Sequence, residues 1–282
     1  MEKDSIRRLP NLSEEDRKIE QYFIDEACEK TEEYLQKYKN MPQSFGGRYI
    51  CADLFKETFD IYSVNSETRN LYASAIHNSA AVLSNELFQR MAIDPAISKC
   101  IFLTGIPGAG KSFFVQSLIV NGELPKDTMV FEGDINALET IKQKMQKVLD
   151  NHKKIYVIVL NPTLELAYRN MMERLHEIGR GASMHTMARI ASGLKNSLKD
   201  LYSFFNGNIQ IGIYNKFSNA DIVIQEGIEN INTLEDRSYE EIKDELAQIR
   251  EKIIAEENIK KNSLYRLKNE RLENSNGIIK NS

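Results

Sequence analysis

The sequence predicts an α/β fold, a mostly parallel sheet covered by helices, with helical extensions at both the N- and the C-terminus. Three observations predict it. Short apolar runs alternate with helix-period segments through the middle of the chain, the pattern of parallel strands joined by crossover helices. One strand–turn–helix junction carries Gly105-Ile106-Pro107-Gly108-Ala109-Gly110-Lys111-Ser112. The composition of the 282 residues, 41% apolar and 28% charged with 9% aromatic, is that of a chain that buries a core.

In chain order, Ser13 to Lys39 opens with Ser13 and Asp16 as an approximate capping box and spaces Ile19, Phe23, Ala27, Tyr34, Leu35 and Tyr38 at helical steps. The Pro and paired Gly of Met41 to Gly47 end that helix, so residues 1–45 are read as an N-terminal helical extension. Arg48 to Ala52 reads as a strand, followed by a loop and a long helical pattern from Ser66 to Met91. Further strands are expected at Lys99 to Thr104, Thr128 to Phe131, Lys154 to Leu160, Asn208 to Tyr214 and Ala220 to Ile224. Helices are expected at Lys111 to Asn121, Ile135 to Asn151, Leu164 to Ile178 and Met184 to Phe205, completing a domain over 46–235. Residues 236–282 are rich in Glu, Lys, Asn and Arg. Their stripe Ile242, Leu246, Ile249, Ile253 is either a coiled-coil seam or a helix docked on the domain, fraying into an Asn- and Lys-rich tail.

Charge and cysteine usage exclude several classes. With 37 Lys+Arg against 41 Asp+Glu the formal charge is −4, and no long basic tract with interleaved aromatics is present, which argues against a nucleic-acid partner. No run approaches the ~18 apolar residues of a membrane span, and Met1 to Pro10 is charged where a signal peptide would be apolar, so a soluble protein is expected. Cys28, Cys51 and Cys100 form no close pair, which points to a reducing, cytoplasmic compartment. His77, His152, His176 and His185 lack metal-ligand spacing, so no zinc enzyme is expected.

The segment Gly105 to Ser112 satisfies GxxxxGK[ST] directly after a strand and before a helix. Its glycines let successive amide N–H groups turn inward, and the helix starting near Lys111 aims its positive end at the same point. Gly105, Ile106, Pro107, Gly108, Ala109 and Gly110 would cradle the phosphates of a nucleotide. Lys111 would reach the β- and γ-phosphates, and the Ser112 hydroxyl would ligate Mg²⁺. Candidates for the remaining chemistry stand at other strand ends, which share a crevice in a parallel sheet. Asp53 is the candidate base, although a turn cap reads equally well. Glu132 and Asp134 would hold magnesium waters or the acceptor. Arg169, Arg174, Arg180 and Arg189 are available cations, and Gly179-Arg180-Gly181 makes Arg174 and Arg180 a hinged basic element able to close over the nucleotide, whereas Arg189 reads as solvated. His77-Asn78 could face the acceptor but stays outside the catalytic set, a capped or solvent-facing His being commoner.

These residues resemble the zeta-toxin family of P-loop kinases, similar in fold to polynucleotide kinases and antibiotic phosphotransferases. The loop GIPGAGKS, the segment Asp53-Leu54-Phe55-Lys56, the strand-end Phe131-Glu132-Gly133 and Arg174 with Gly179-Arg180 look like the family's Walker loop, DxFK segment, EGT element and lid arginines. The match covers Tyr49 to Ser218. One departure stands out: the DxFK-like segment precedes the Walker loop by about fifty residues instead of following it, so the motif order looks circularly permuted. The resemblance implies a P-loop kinase-like fold with Asp53 as catalytic base and Arg174 and Arg180 on the ATP phosphates. It also implies an ATP- and magnesium-dependent transfer to a hydroxyl of a nucleotide-like small molecule, classically UDP-N-acetylglucosamine. Lys56, Glu132 and Asp134 are taken as substrate-binding. A toxin or effector role follows as an expectation, with delivery into a host or neighbouring cell, and the end helices become candidate surfaces for an antitoxin, a chaperone or a second copy. A polynucleotide 5′-kinase and a regulatory P-loop ATPase remain the alternatives. A GTPase is disfavoured, since Asn215-Lys216-Phe217-Ser218 lacks the Asp of a guanine-reading NKxD.

Overall fold

A computed structural model describes residues 6–10, 12–216, 218 and 222–256. Met1 to Ser5, Phe217, Ala220 and the tail beyond residue 256, on which several expectations bear, lie outside the described residues. Six strands form one sheet: β1 (Tyr49–Cys51), β2 (Lys99–Thr104), β3 (Thr128–Glu132), β4 (Lys154–Pro162), β5 (Gln210–Lys216) and β6 (Ile222–Glu226). Their spatial order is β1-β3-β2-β4-β5-β6, parallel throughout except for the antiparallel β6. The expected mostly parallel α/β sheet is therefore what the chain forms.

The helices are α1 (Glu14–Glu29), α2 (Thr31–Asn40), α3 (Ala52–Lys56), α4 (Asp60–Ser63), α5 (Ser66–Tyr72), α6 (His77–Ile93), α7 (Lys111–Val120), α8 (Leu138–Asp150), α9 (Leu164–Ile178), α10 (Met184–Phe204) and α11 (Tyr239–Glu256). Alternate strand residues feed two cores. Ile50, Phe102, Met129, Val157 and Ile213 join Phe23, Tyr38, Leu87, Met145 and Leu198 on one face. Cys51, Leu103, Val130 and Leu160 join Val115, Tyr168, Met171 and Leu246 on the other. This period-two division is what a sheet buried on both sides requires.

Two expected long helices are each two. The Ser13 to Lys39 helix breaks at Lys30 (φ −118°, ψ 30°), so that Phe23 and Ala27 before the break and Tyr34 and Tyr38 after it all reach the first core. The Ser66 to Met91 pattern breaks between Ala73 and Ile76. Here α5 buries no residue, while α6 buries eight, so the two segments present differently to the core and one straight rod would not serve both. The N-terminal pair also closes the sheet edge. The Tyr38 hydroxyl donates to the Tyr49 carbonyl (2.7 Å) and accepts from the Cys51 amide (3.0 Å), satisfying groups that an edge strand leaves open. At the other end, the Ile242, Leu246, Ile249, Ile253 stripe of α11 is buried in the second core, which is the docked-helix arrangement. No helix of the described residues is long and apolar enough to cross a membrane.

Candidate active site

The loop Gly105 to Ser112 leaves β2 and enters α7 with Gly105, Gly108 and Gly110 at φ of 142°, 82° and 84°, a conformation that L side chains rarely adopt. Space demands glycine as well: a Cβ on Gly108 would stand 1.9 Å from the Ala167 carbonyl oxygen. The Asn170 side chain also donates to the Gly108 carbonyl (3.0 Å), so α9 braces the loop from behind. Lys111 Nζ donates to the carbonyls of Gly105 (2.8 Å) and Ile106 (3.2 Å) and stands 3.8 Å from the Glu132 carboxylate. It is held over the cradle rather than in solvent.

Register explains why Glu132 is there. Cys51, Glu132 and Leu103 lie abreast on β1, β3 and β2, so three strand ends open into one crevice. Tyr49, one pleat back on the same face as Cys51, links the pieces. Its hydroxyl donates to Glu132 (2.5 Å) and stands 3.1 Å from Ser112 Oγ. Burial, then Cys51 and Glu132, push the Tyr49 hydroxyl well above its ordinary value, so it remains a donor. Burial, with help from Glu132 and Asp53, likewise pushes the Cys51 thiol up to about 12, which excludes it as a nucleophile.

Asp53 sits in the first turn of α3, immediately past β1. It pairs with Lys56 (3.0 Å) and with Arg180 (3.6 Å), and Arg180 reaches Glu57 (3.8 Å), which is held by Arg69 (3.0 Å). Partial burial works to raise the Asp53 carboxyl. Lys56, Arg180 and Arg174 outweigh it and hold the group far below the usual carboxylate range. Arg180 is driven the opposite way: burial lowers it, but Asp53 wins and its charge is reinforced. The hinge glycine expected before Arg180 is a packed one. Gly179 ends α9 at φ 74°, and a Cβ there would stand 1.9 Å from the Ser66 carbonyl oxygen, so α9 and α5 meet without a side chain between them.

A cavity of about 550 Å³ joins the two clusters. Its walls include Ser112 from the loop, Tyr49, Cys51 and Leu54 beside Asp53, and Arg180 and Glu57 from the ion-pair chain. Phe113, Ile178 and Met41 supply apolar surface, and Gln43, Gln116 and Arg69 supply polar groups.

Not every expected site residue gathers here. Asp134 pairs with Arg189 (2.8 Å) and accepts from the Asn136 amide (3.0 Å), so it caps the turn after β3. Arg189, expected to be solvated, is thus engaged. Arg169 is bound to Glu165 (2.8 Å) and Glu256 (2.6 Å), on the α11 side of α9. His77, by contrast, stands close enough to Asp53 and Lys56 to be affected by both. Burial first, and then Lys56, lower its pKa against the opposing pull of Asp53. Its neighbour Asn78 donates to the Arg7 carbonyl (2.6 Å) instead. Sequence reasoning missed Tyr49 and the Glu57–Arg69 pair. The available signal was a tyrosine at a strand position four residues before Asp53, which reads first as core.

No family model and no curated protein matches the chain.

Proposed function

We propose that the protein is an ATP- and magnesium-dependent kinase that transfers a γ-phosphate to a hydroxyl of a nucleotide-sugar or similar nucleotide-like small molecule, with a toxin or effector role in the cell. The observation that carries this reading is the shared cavity. Ser112 of the phosphate loop and Arg180, the partner of Asp53, line one space, and its volume lies within the roughly 300–1,000 Å³ of small-molecule sites. Hydrolysis alone needs a water; a cavity of this size beside the loop suits an acceptor as well.

The residues present fit ATP and Mg²⁺. Amides of the Gly105–Gly110 turn and the α7 N-terminus favour phosphate, Lys111 is already poised over the loop, and the Ser112 hydroxyl suits a magnesium ligand. Magnesium, when bound, would supply charge neutralisation to the phosphates. Lys111 trades its carbonyl partners for phosphate oxygens. Asp53, too acidic to be an eager base, stays ionised at neutral pH. It orients the acceptor hydroxyl and takes its proton late, as a loose phosphoryl transfer permits. Arg180, released from Asp53 by movement of the segment after Gly179, meets the charge that develops on the transferring group, and Arg174 adds to the same field. Lys56 keeps Asp53 anionic, and Glu132 anchors Lys111 and Tyr49 around Ser112.

The test is a γ-labelled ATP transfer assay with magnesium against UDP-sugars, NAD, nucleosides and short oligonucleotides, with Lys111→Ala alongside. Label on one small acceptor, lost by about 10²–10³-fold or more in the variant, is expected. Label on oligonucleotides alone would select the polynucleotide kinase. Free phosphate with no labelled acceptor would replace the kinase by an ATPase.

A further inference from the structure

Lysine is almost never buried without a partner, because the ammonium loses its hydration and gains nothing in return. Lys216, the last residue of β5, is 8% exposed. Among the described residues no carboxylate lies within ion-pair distance of it, and burial alone, with no charged neighbour acting, lowers its pKa.

Its direction follows from the strand. In β5, Ile211 and Ile213 point into the first core, so Tyr214 and Lys216 point to the opposite face. There the Tyr214 ring packs edge-on against Phe114 of α7, centroids 5.1 Å apart. Two residues further, at the end of the sheet where the loop lies, the Lys216 ammonium arrives at Gly110, the N-cap of α7. It stands 3.2 Å from where a Cβ on Gly110 would be. The backbone is fixed in that position: the Lys216 carbonyl accepts from the Thr163 amide (3.1 Å), and Asn215 beside it is held by Asn161 (2.7 Å) and Gln225 (2.8 Å). The ammonium therefore sits beside the positive end of a ten-residue helix, with Lys111 at that helix's first position. Two like-signed elements placed together without an anion repel, and an anion seated between them removes the repulsion.

We propose that Lys216 is a second phosphate-binding lysine, whose ammonium ligates an anionic oxygen of the nucleotide phosphates seated on the Gly105–Ser112 loop. The inference rests on the nucleotide-binding reading above and adds to it a residue from the opposite side of the sheet centre. It also explains why a buried cation with no carboxylate partner among the described residues persists here. A carboxylate partner would compete with the phosphate.

The experiment is calorimetric titration of the full chain with Mg-ATP, inorganic triphosphate and adenosine, in the wild type, Lys216→Met, Lys216→Gln and Lys111→Ala, with a thermal melt of each. Loss of a charge-assisted hydrogen bond to phosphate predicts about a ten- to hundredfold weaker affinity for ATP and for triphosphate in both Lys216 variants, with adenosine unchanged. The melting temperature of the unliganded Lys216→Met protein is expected to equal or exceed that of the wild type, because an uncompensated buried charge has gone; a lysine serving structure alone would lower it. Unchanged ATP affinity in the Lys216 variants, with binding lost in Lys111→Ala, would overturn the Lys216 assignment and leave the nucleotide reading standing. Equal weakening for adenosine and ATP would also overturn it, by moving the contact from phosphate to the nucleoside. No binding of Mg-ATP to the wild type, or binding that neither Lys111→Ala nor the Lys216 variants alter and that therefore lies away from the Gly105–Ser112 loop, would remove the reading of that loop as the nucleotide site, and the inference with it.

Discussion

The ends of β1 and β3 look alike in sequence and differ in the molecule. Each strand is short and apolar, and each is followed within two residues by an aspartate, Asp53 in one case and Asp134 in the other. Asp53 lies in a helical turn that returns Lys56 to it, and Arg180 arrives from the segment after α9, so the carboxylate lies between cations beside a cavity. Asp134 lies two residues past the sheet, where Arg189 and the Asn136 amide take its oxygens for a turn. A carboxylate at the C-terminal end of a parallel strand therefore becomes a candidate for chemistry only when the backbone after it keeps it in the crevice. For Asp134 the intervening Gly133, whose amide donates to the Leu103 carbonyl, closes β3 first.

Substitutions can break this comparison. The largest effect is expected at Asp53: Asp53→Asn should lower kcat for γ-phosphate transfer by about 10²–10⁴-fold, with the apparent affinity for ATP little changed. Equal activity in that variant would reduce Asp53 to a turn residue like Asp134. Next in size is Tyr49→Phe. It leaves Glu132 without its donor and Ser112 without a neighbour, a loss of about 1–3 kcal/mol readable as roughly tenfold or more in kcat/KM. Asp134→Asn should leave transfer within about twofold and lower stability by about 1 kcal/mol in urea denaturation, through a weakened turn and a partly exposed ion pair.

Acid sharpens the same contrast. The folded Asp53 carboxyl lies far below its unfolded value near 3.9, so its stabilising contribution is complete above about pH 4 and is lost as the pH falls further. The stability gap between wild type and Asp53→Asn should therefore shrink as the pH falls from about 4 to 2, measured by denaturant midpoints. A smaller effect of the same sign, at alkaline pH, belongs to Lys144. Burial first of all pulls it down to about 8, where it lies over the rings of Phe88 and Phe131. Between about pH 8 and the unfolded lysine value near 10.4 the unfolded chain binds the extra proton, so stability should rise with pH over that window and the rise should vanish in Lys144→Met.

Much of the fold was legible in residue order. Every expected strand is present where described: β1 to β5, covered on both faces, are short continuous apolar runs, and the exposed β6 carries such a run as well; the helix over Leu164–Ile178 has the expected ends because Thr163 caps one and Gly179 the other. The breaks at Lys30 and Ala73 were not legible. Periodicity continues across a bend when both sides must face the core, and no Pro or Gly marks either position.

The Gly105–Ser112 loop was determined by the sequence itself, since its glycines, lysine and serine act through local backbone geometry within a span of eight residues. The rest of the site was decided by tertiary structure. Sheet order placed β1 beside β3 and β3 beside β2, bringing Tyr49 to Ser112 across 63 positions of chain and Arg180 to Asp53. The same assembly tied Asp134 into a turn and carried Lys216 from the far end of the domain to Gly110. The physical reason is range. Loop conformation and helix caps are set by neighbours a few residues away, whereas pairing of charges depends on which strands share an edge, and that is settled by the collective burial of apolar surface on both faces of the sheet.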